Sequence, residues 1–186
     1  MDSPNLKFST ILSIFFLLFL SSSPPSTKAE SQLVDTICQE TLNHTMCLEA
    51  LGSDPQAKAT TDLKVLAKIT LRLSISNAKD SLRFINKTIN NIINETDDQP
   101  IVVLAALKQC AYWYEAVVGS FKSALLELKE DIMTANYDIK VAGDDADYCE
   151  SELVSKKVDI APSVSERNYQ VKLYSSIGFV ITNKLP

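Results

Sequence analysis

The sequence is poor in the residues on which most catalytic sites depend. His44 is the only histidine, the chain has four glycines, and neither a P-loop nor a dinucleotide-binding fingerprint occurs. A Ser-His-Asp or Cys-His site would have to be built around His44, which lies in the sequon Asn43-His44-Thr45 and should face water. We therefore predict no enzyme activity and no cofactor. The alternative is a glycosidase with two carboxylates, because acidic residues are abundant.

Residues that commonly bind metals are few or badly spaced. The chain has no Cys-x-x-Cys pair, and a mixed Cys/His zinc site would have to use His44. The acidic run at 144–150 (DDADYCE) resembles a calcium loop, but it lacks the glycine at the sixth position and the glutamate at the twelfth. We therefore predict no metal site.

The N-terminus has the composition of a secretory leader. Lys7 precedes an apolar run at 8–20 that is too short to span a bilayer comfortably, and small residues follow. Ala29 fits the position before a cleavage site. We predict a signal peptide at 1–29 and one extracellular domain at 30–186, with a short membrane anchor as the alternative.

The charge of the chain suits neither nucleic acid nor an anionic membrane. The formal net charge is −5, and loss of the leader, which holds Asp2, Lys7 and Lys28, changes it to −6. An acidic protein is repelled by partners that are rich in phosphate. We predict no nucleic-acid partner, and no membrane partner after cleavage.

Three sequons fit passage through the secretory pathway. They begin at Asn43, Asn86 and Asn94. Asn86 lies inside a helical pattern, so its use requires that the helix expose it. We predict all three as sites of N-glycosylation.

Four cysteines follow the predicted leader: Cys38, Cys47, Cys110 and Cys149. An even number in a secreted chain indicates disulfides, and four cysteines allow three pairings. Pairing in sequence order is favoured, because a long polar connection separates the second cysteine from the third. Along a continuous helix the Cα atoms of Cys38 and Cys47 would lie about 13 Å apart, whereas a disulfide needs roughly 4.4–6.8 Å. If these two pair, the chain must double back between them.

Hydrophobic periodicity predicts helices and not strands. Segment 60–92 contains neither glycine nor proline, and its apolar residues repeat at four-three spacing. Within it, 69–76 (ITLRLSIS) alternates apolar and polar residues, which would suit a strand. A helix accounts for more positions, so we predict one helix over the whole segment.

Three further stripes complete the predicted fold. Apolar residues keep helical spacing over 103–128 and over 132–149, where Gly143 is a candidate early end, and a last helix begins at Pro162. A smaller helical element precedes them around 31–50. The pattern predicts an all-α protein with an antiparallel up-down-up-down four-helix bundle. Such a closed bundle offers little concave surface for catalysis.

Two aromatic residues stand beside the core stripe of the second bundle helix. Tyr114 continues that stripe, which places Tyr112 and Trp113 next to it. We predict that these two pack on the flank of the bundle or under the N-terminal element. An exposed binding hot spot is the alternative.

Together, these features resemble the plant invertase and pectin methylesterase inhibitor family. They are the leader, the spacing Cys38-x8-Cys47, the segment 106–117 (ALKQCAYWYEAV) and a fourth cysteine after an acidic stretch. The segment 134–137 (TANY) is similar to a short Ala-Asn motif of the family. The segment 50–55 (ALGSDP) is similar to a branch of pollen allergens described as candidate invertase inhibitors.

The resemblance implies a four-helix bundle with a protruding N-terminal helical hairpin and the disulfides Cys38–Cys47 and Cys110–Cys149. It also implies a non-catalytic protein of the cell wall or apoplast that docks onto an enzyme and blocks its substrate cleft. The Pro-Lys-Phe motif of well-studied invertase inhibitors is absent, which favours pectin methylesterase as the target. The alternatives are acid invertase and a structural, allergen-like bundle without an enzyme target.

The residues that would contact the target are predicted from their charge and size. An acidic residue is common in the family two positions after the third cysteine, where this chain has Tyr112. For any single acidic residue, a solvated surface position is the simpler interpretation. The predicted contacts are Asp144, Asp145, Asp147, Glu150, Glu152 and Trp113.

Overall fold

The computed structural model describes residues 26–94, 101–158 and 162–186, with side chains from residue 32 onwards except that of Pro162. The predicted leader up to residue 25 lies outside the described residues. The described residues form helices and no strand. The helices are α1 (Ser26–Cys38), α2 (His44–Gly52), α3 (Pro55–Ala59), α4 (Leu63–Asn94), α5 (Ile101–Glu127), α6 (Ile132–Ser155) and α7 (Pro162–Asn183).

Helices α4 to α7 form the predicted four-helix bundle. Helix α5 packs against α4 and α6, and α7 packs against the same two helices. Helices α4 and α6 therefore occupy diagonal corners. Helix α5 is the one described helix that is long and apolar enough to cross a membrane, and in this fold it lines the core of the bundle. The predicted all-α bundle is confirmed.

The predicted helix is confirmed from Leu63 to Asn94, with residues 60–62 outside it, so the strand considered for 69–76 is wrong. Polar residues on the buried side of α4 explain why the segment imitates a strand. Thr70 Oγ1 donates to the Leu66 carbonyl at 2.9 Å, and Ser74 Oγ donates to the Thr70 carbonyl at 2.8 Å. These hydroxyl groups form their hydrogen bonds with carbonyl groups of their own helix. They can therefore occupy core positions without a hydrogen-bond partner from another element.

Gly143 does not end its helix, contrary to the possibility considered above. Helix α6 starts at the N-cap Asp131, whose carboxylate accepts from the backbone N–H groups of Met133 and Thr134, and it runs to Ser155. Gly143 instead permits a close approach of two helices, because a Cβ atom at this position would lie 2.6 Å from Ser175 Oγ on α7. Packing at this crossing leaves no room for a side chain.

The N-terminal helices form a disulfide-closed hairpin. The chain doubles back between α1 and α2, which brings the Cα atoms of Cys38 and Cys47 to 5.4 Å in a disulfide. Both the predicted reversal and this pairing are confirmed. The turn rests on α7, where the Leu42 N–H donates to Ser176 Oγ at 2.9 Å and Lys184 pairs with Glu40 at 2.8 Å.

A buried polar chain joins three bundle helices. The Tyr114 hydroxyl on α5 donates to Asn168 Oδ1 on α7 at 2.8 Å, and burial raises the pKa of this tyrosine well above its ordinary range. Asn168 Nδ2 donates to Glu150 Oε2 on α6 at 2.7 Å, and Ser165 Oγ donates to Glu150 Oε1 at 2.9 Å. Since every group finds a partner, the chain stabilises the relative positions of the three helices.

Candidate docking surface

Helix α6 has small residues inside and large apolar residues outside. Half of its buried residues are alanine or glycine, at 135, 142, 143 and 146, which lets α6 approach α5 and α7 closely. Its outer face exposes large side chains that an ordinary bundle helix would bury: Met133 at 83%, Tyr137 at 66%, Tyr148 at 54% and Val154 at 68%. We name these four residues the α6 ridge. Methionine and tyrosine on a rigid surface are typical of protein interfaces.

An aromatic cluster of Tyr112, Trp113 and Tyr148 joins the ridge to α5. The ring centroids of Tyr112 and Trp113 lie 5.2 Å apart at 69°, and those of Trp113 and Tyr148 lie 4.9 Å apart at 38°. Trp113 is half-buried on the flank of the bundle, whereas both tyrosines are exposed. A groove of about 380 Å³ beside the cluster is lined by Gln109, Trp113, Tyr148, Ser151, Glu152 and Ser155.

The second disulfide lies directly beneath this cluster. Cys110 precedes Tyr112 by two residues on α5, and Cys149 follows Tyr148 on α6. Their Cα atoms are 4.6 Å apart, and both side chains are fully buried. The predicted pairing is confirmed, and it ties the two helices together at the level of the aromatic rings. Rings fixed in this way lose little freedom when a partner covers them.

The acidic residues predicted as contacts do not form one patch. Asp145 is only 6% exposed, and burial, with a smaller effect from the neighbouring Asp144, raises the pKa of its carboxyl. Glu150 faces α7, where Ser165 and Asn168 donate to it. These two carboxylates are therefore placed for internal contacts more than for a partner.

The other acidic residues line two different grooves. Glu152 and Trp113 line the groove beside α5. Asp144 and Asp147 line a different groove of about 410 Å³ between α6 and α7, and Asp147 pairs there with Lys172 at 2.7 Å. The structure thus brings Trp113 together with Glu152 and separates both from Asp144 and Asp147.

The described residues hold no group of three or more His, Cys, Asp or Glu side chains that could bind a metal ion together. His44, the residue around which a catalytic site would have been built, lies in the N-terminal hairpin. Its Nε2 is 2.9 Å from Asp35 Oδ1 in an exposed pair. This contact between the two side chains holds α2 near α1.

Comparison with known proteins gives this surface a context. A sequence profile described as plant invertase/pectin methylesterase inhibitor matches residues 32–181. The chain belongs to this family. Pectinesterase inhibitor 1 of Arabidopsis thaliana is 30% identical over 184 residues, which cover 98% of this chain and 97% of that protein. A cell wall/vacuolar inhibitor of fructosidase from the same plant is 25% identical over 173 residues, which cover 90% and 92%.

Solved structures agree with the family assignment. The crystal structure of a mutant form of a pectin methylesterase inhibitor from Arabidopsis matches with a TM-score of 0.69 at 30% identity. The match covers 82% of this chain and 97% of that one. Both the fold and the predicted membership of the inhibitor family are confirmed.

The Ala-Asn segment of this family member has a structural role. Asn136 Nδ2 lies within hydrogen-bond distance of the Phe179 carbonyl, of Thr182 Oγ1 at 2.7 Å and of Asn183 Oδ1 at 3.1 Å. The amide thus holds the C-terminal turn of α7 against the start of α6. The next residue, Tyr137, points outward as part of the α6 ridge.

Four residues of the candidate surface were not predicted from the sequence: Met133, Tyr137, Tyr148 and Val154. All four are large side chains that fall off the apolar stripe of α6, and 133 and 137 are one helical turn apart. Large apolar residues at helical spacing on the polar face of a helix were the signal that could have identified them.

Proposed function

We propose that this protein is a secreted inhibitor of a pectin methylesterase, and that it acts by non-covalent occlusion of the substrate cleft. The observation that carries the proposal is the family match over residues 32–181. The surface that docks is the aromatic cluster together with the α6 ridge. Trp113 and Glu152 are the predicted contacts that lie within or beside this surface.

Inhibition by such a surface requires shape and rigidity and no bond-making. The rings of Tyr112 and Tyr148 project from helices that are fixed by the Cys110–Cys149 disulfide, so their positions are set before a partner arrives. Buried aromatic anchors in the centre of an interface provide most of the binding free energy, and the polar rim excludes water. A bundle edge of this kind fills a cleft and keeps the polymeric substrate out.

Pectin methylesterase is favoured over acid invertase by two observations. Identity is 30% to a relative named as a pectinesterase inhibitor and 25% to one named as an inhibitor of fructosidase. The Pro-Lys-Phe motif associated with invertase inhibition is also absent from the chain. Acid invertase is the second candidate, because the family profile covers inhibitors of both enzymes.

Secretion to the cell wall is part of the same proposal. The support is the apolar run at 8–20 and the small residues before Glu30, together with disulfides that form in an oxidising compartment. Expression of the full chain in plant cells should place the protein in the medium with Glu30 as its first residue. N-terminal sequencing checks this, and a retained leader contradicts it.

The inhibitor is tested with purified protein against one pectin methylesterase and one acid invertase. We expect dose-dependent, reversible inhibition of the esterase only. The variant Tyr148→Ala should weaken inhibition about tenfold or more, as loss of an aromatic anchor does. The variant Arg83→Ala, at an exposed position on the diagonal helix α4, is the matched control and should inhibit like the natural protein. Inhibition of neither enzyme would favour a structural bundle.

A further inference from the structure

The outer face of α4 differs in character from the candidate docking surface. Between residues 72 and 91, every exposed side chain of α4 is polar or charged. Asn86 stands in the middle of this face, and its neighbours one turn before and after, Arg83 and Asn90, are exposed as well. A bulky group on the Asn86 amide would therefore extend into solvent without displacing any buried side chain.

Asn94 offers a second position on the same helix. It is the last residue of α4, and its side chain is exposed. Asn86 and Asn94 both begin Asn-x-Thr sequons, with Lys87 and Glu95 in the middle position. Both residues thus combine the acceptor motif with an exposed side chain.

Asn43 is placed very differently. It is the N-cap of α2, and its Oδ1 accepts from the Met46 backbone N–H at 3.1 Å. Its Nδ2, the atom to which a glycan would be attached, donates to the Tyr169 hydroxyl on α7 at 3.3 Å. The side chain is half-buried where the turn of the hairpin rests on α7. A glycan attached to this nitrogen would occupy the space between Asn43 and Tyr169, so this contact would have to open.

We propose that Asn86 and Asn94 carry N-linked glycans and that Asn43, which its sequon alone predicts as a third site, does not, so that carbohydrate covers the α4 corner of the bundle and leaves the α6 corner bare. The diagonal arrangement of the two helices directs the glycans away from the aromatic cluster. The inference rests on the secretion and the docking surface put forward under the proposed function. It adds that the protein is coated on one side and binds on the other.

Site mapping tests the glycan positions independently of any inhibition. The full chain, with its leader, is expressed in plant cells, and the secreted protein is treated with peptide N-glycosidase A in heavy-oxygen water. We expect the isotope label at residues 86 and 94 and an unlabelled Asn43. The variants Asn86→Gln and Asn94→Gln should each lose the mass of one glycan, whereas Asn43→Gln should lose none. Label at Asn43, or its absence from Asn86, overturns the proposal.

A relocated glycan tests the one-sided arrangement. The double variant Val154→Asn with Lys156→Thr places a sequon on the exposed end of α6, at two positions that are both exposed. We expect occupancy of this new site to reduce inhibition at least tenfold below that of Val154→Asn alone, which lacks the sequon and carries no glycan. The matched variant Asn86→Gln should inhibit like the natural protein. Full inhibition with the α6 glycan attached would contradict the bare-face arrangement, while the mapping result would still decide the glycan positions.

Discussion

Helices α4 and α6 occupy diagonal corners of the same bundle, yet they present opposite surfaces. The middle of α4 exposes only polar and charged side chains, whereas α6 exposes two tyrosines, a methionine and a valine. Their inner faces also differ, since α4 buries five leucine and isoleucine side chains, whereas α6 buries two, beside three alanines and a glycine. Burial of large apolar side chains explains why α4 packs into the bundle. It does not explain why α6 carries large apolar side chains on its outer face.

The difference between α4 and α6 shows how one helix of a small bundle can expose large side chains to a binding partner. Small inner residues let α6 lie close to its neighbours, and the disulfide and the half-buried Glu150 tie it to α5 and α7. Because these links stabilise the position of α6, its large side chains are not needed in the core. They remain available on the surface, where clustered apolar residues usually mark an interaction site.

The largest effect should come from removing the disulfide that fixes α6. The variant Cys110→Ala with Cys149→Ala opens a loop with a sequence separation of 39. The chain-entropy relation gives a loss of about 4 kcal/mol in the free energy of unfolding. Urea unfolding of the two proteins measures the difference. A loss below about 1 kcal/mol would mean that packing alone fixes α6, as it does α4.

A second experiment gives α6 the surface character of α4. The variant Tyr137→Lys with Tyr148→Lys should weaken inhibition of the target esterase about 100-fold, which corresponds to about 2.7 kcal/mol of binding free energy. The control is Lys79→Ala with Lys87→Ala on the exposed face of α4, which should change inhibition less than twofold. Equal effects of the two pairs would show that the docking surface is not at the α6 corner.

A third experiment concerns the close approach of α6 and α7. Gly143→Ala adds a Cβ atom 2.6 Å from Ser175 Oγ, so the helices must shift and the free energy of unfolding should fall by about 1–3 kcal/mol. Gly119→Ala on α5 is the matched control, because a Cβ atom there meets nothing within 4 Å. It should gain about 0.5–1 kcal/mol from helix propensity. Thermal and urea unfolding check both signs.

The smallest effect should come from the buried carboxyl of α6. Burial raises the pKa of Asp145, so the fold favours its protonated form. The corresponding stability is present at low pH and is lost as the pH rises through the raised pKa. Asp145→Asn should therefore raise the free energy of unfolding at pH 7 by less than about 1 kcal/mol. At pH 4 the change in the free energy of unfolding should be smaller still. A variant that is less stable at pH 7 would show that the charge has a stabilising partner.

Much of the fold followed from the sequence, because a long helix repeats its apolar spacing many times. The reversal between Cys38 and Cys47 followed from the short Cα distance that a disulfide between them requires. The assignment of single acidic residues was less successful, since Asp145 and Glu150 were predicted as target contacts although both face the interior of the bundle. Asp145 lies three residues after Ala142 and four before Cys149, both buried, so helical geometry already places it near the core.

The candidate surface was harder to predict for a different reason. Periodicity identifies the side of a helix that is buried, and large residues off that stripe are usually tolerated singly without a function. Only the structure brings Tyr112, Trp113 and Tyr148 from two helices into one cluster. The contact depends on how α5 and α6 are rotated about their axes, which the local sequence of neither helix determines.

The aromatic cluster also provides the protein with an optical reporter. Trp113 is the chain's single indole, and its ring lies against Tyr148 with one side open to water. Emission of the unlabelled inhibitor, excited at ultraviolet wavelengths that tyrosine does not absorb, therefore comes from one known place. When a partner free of tryptophan covers that place, the emission shifts to shorter wavelength, so the time course of association can be followed without a dye.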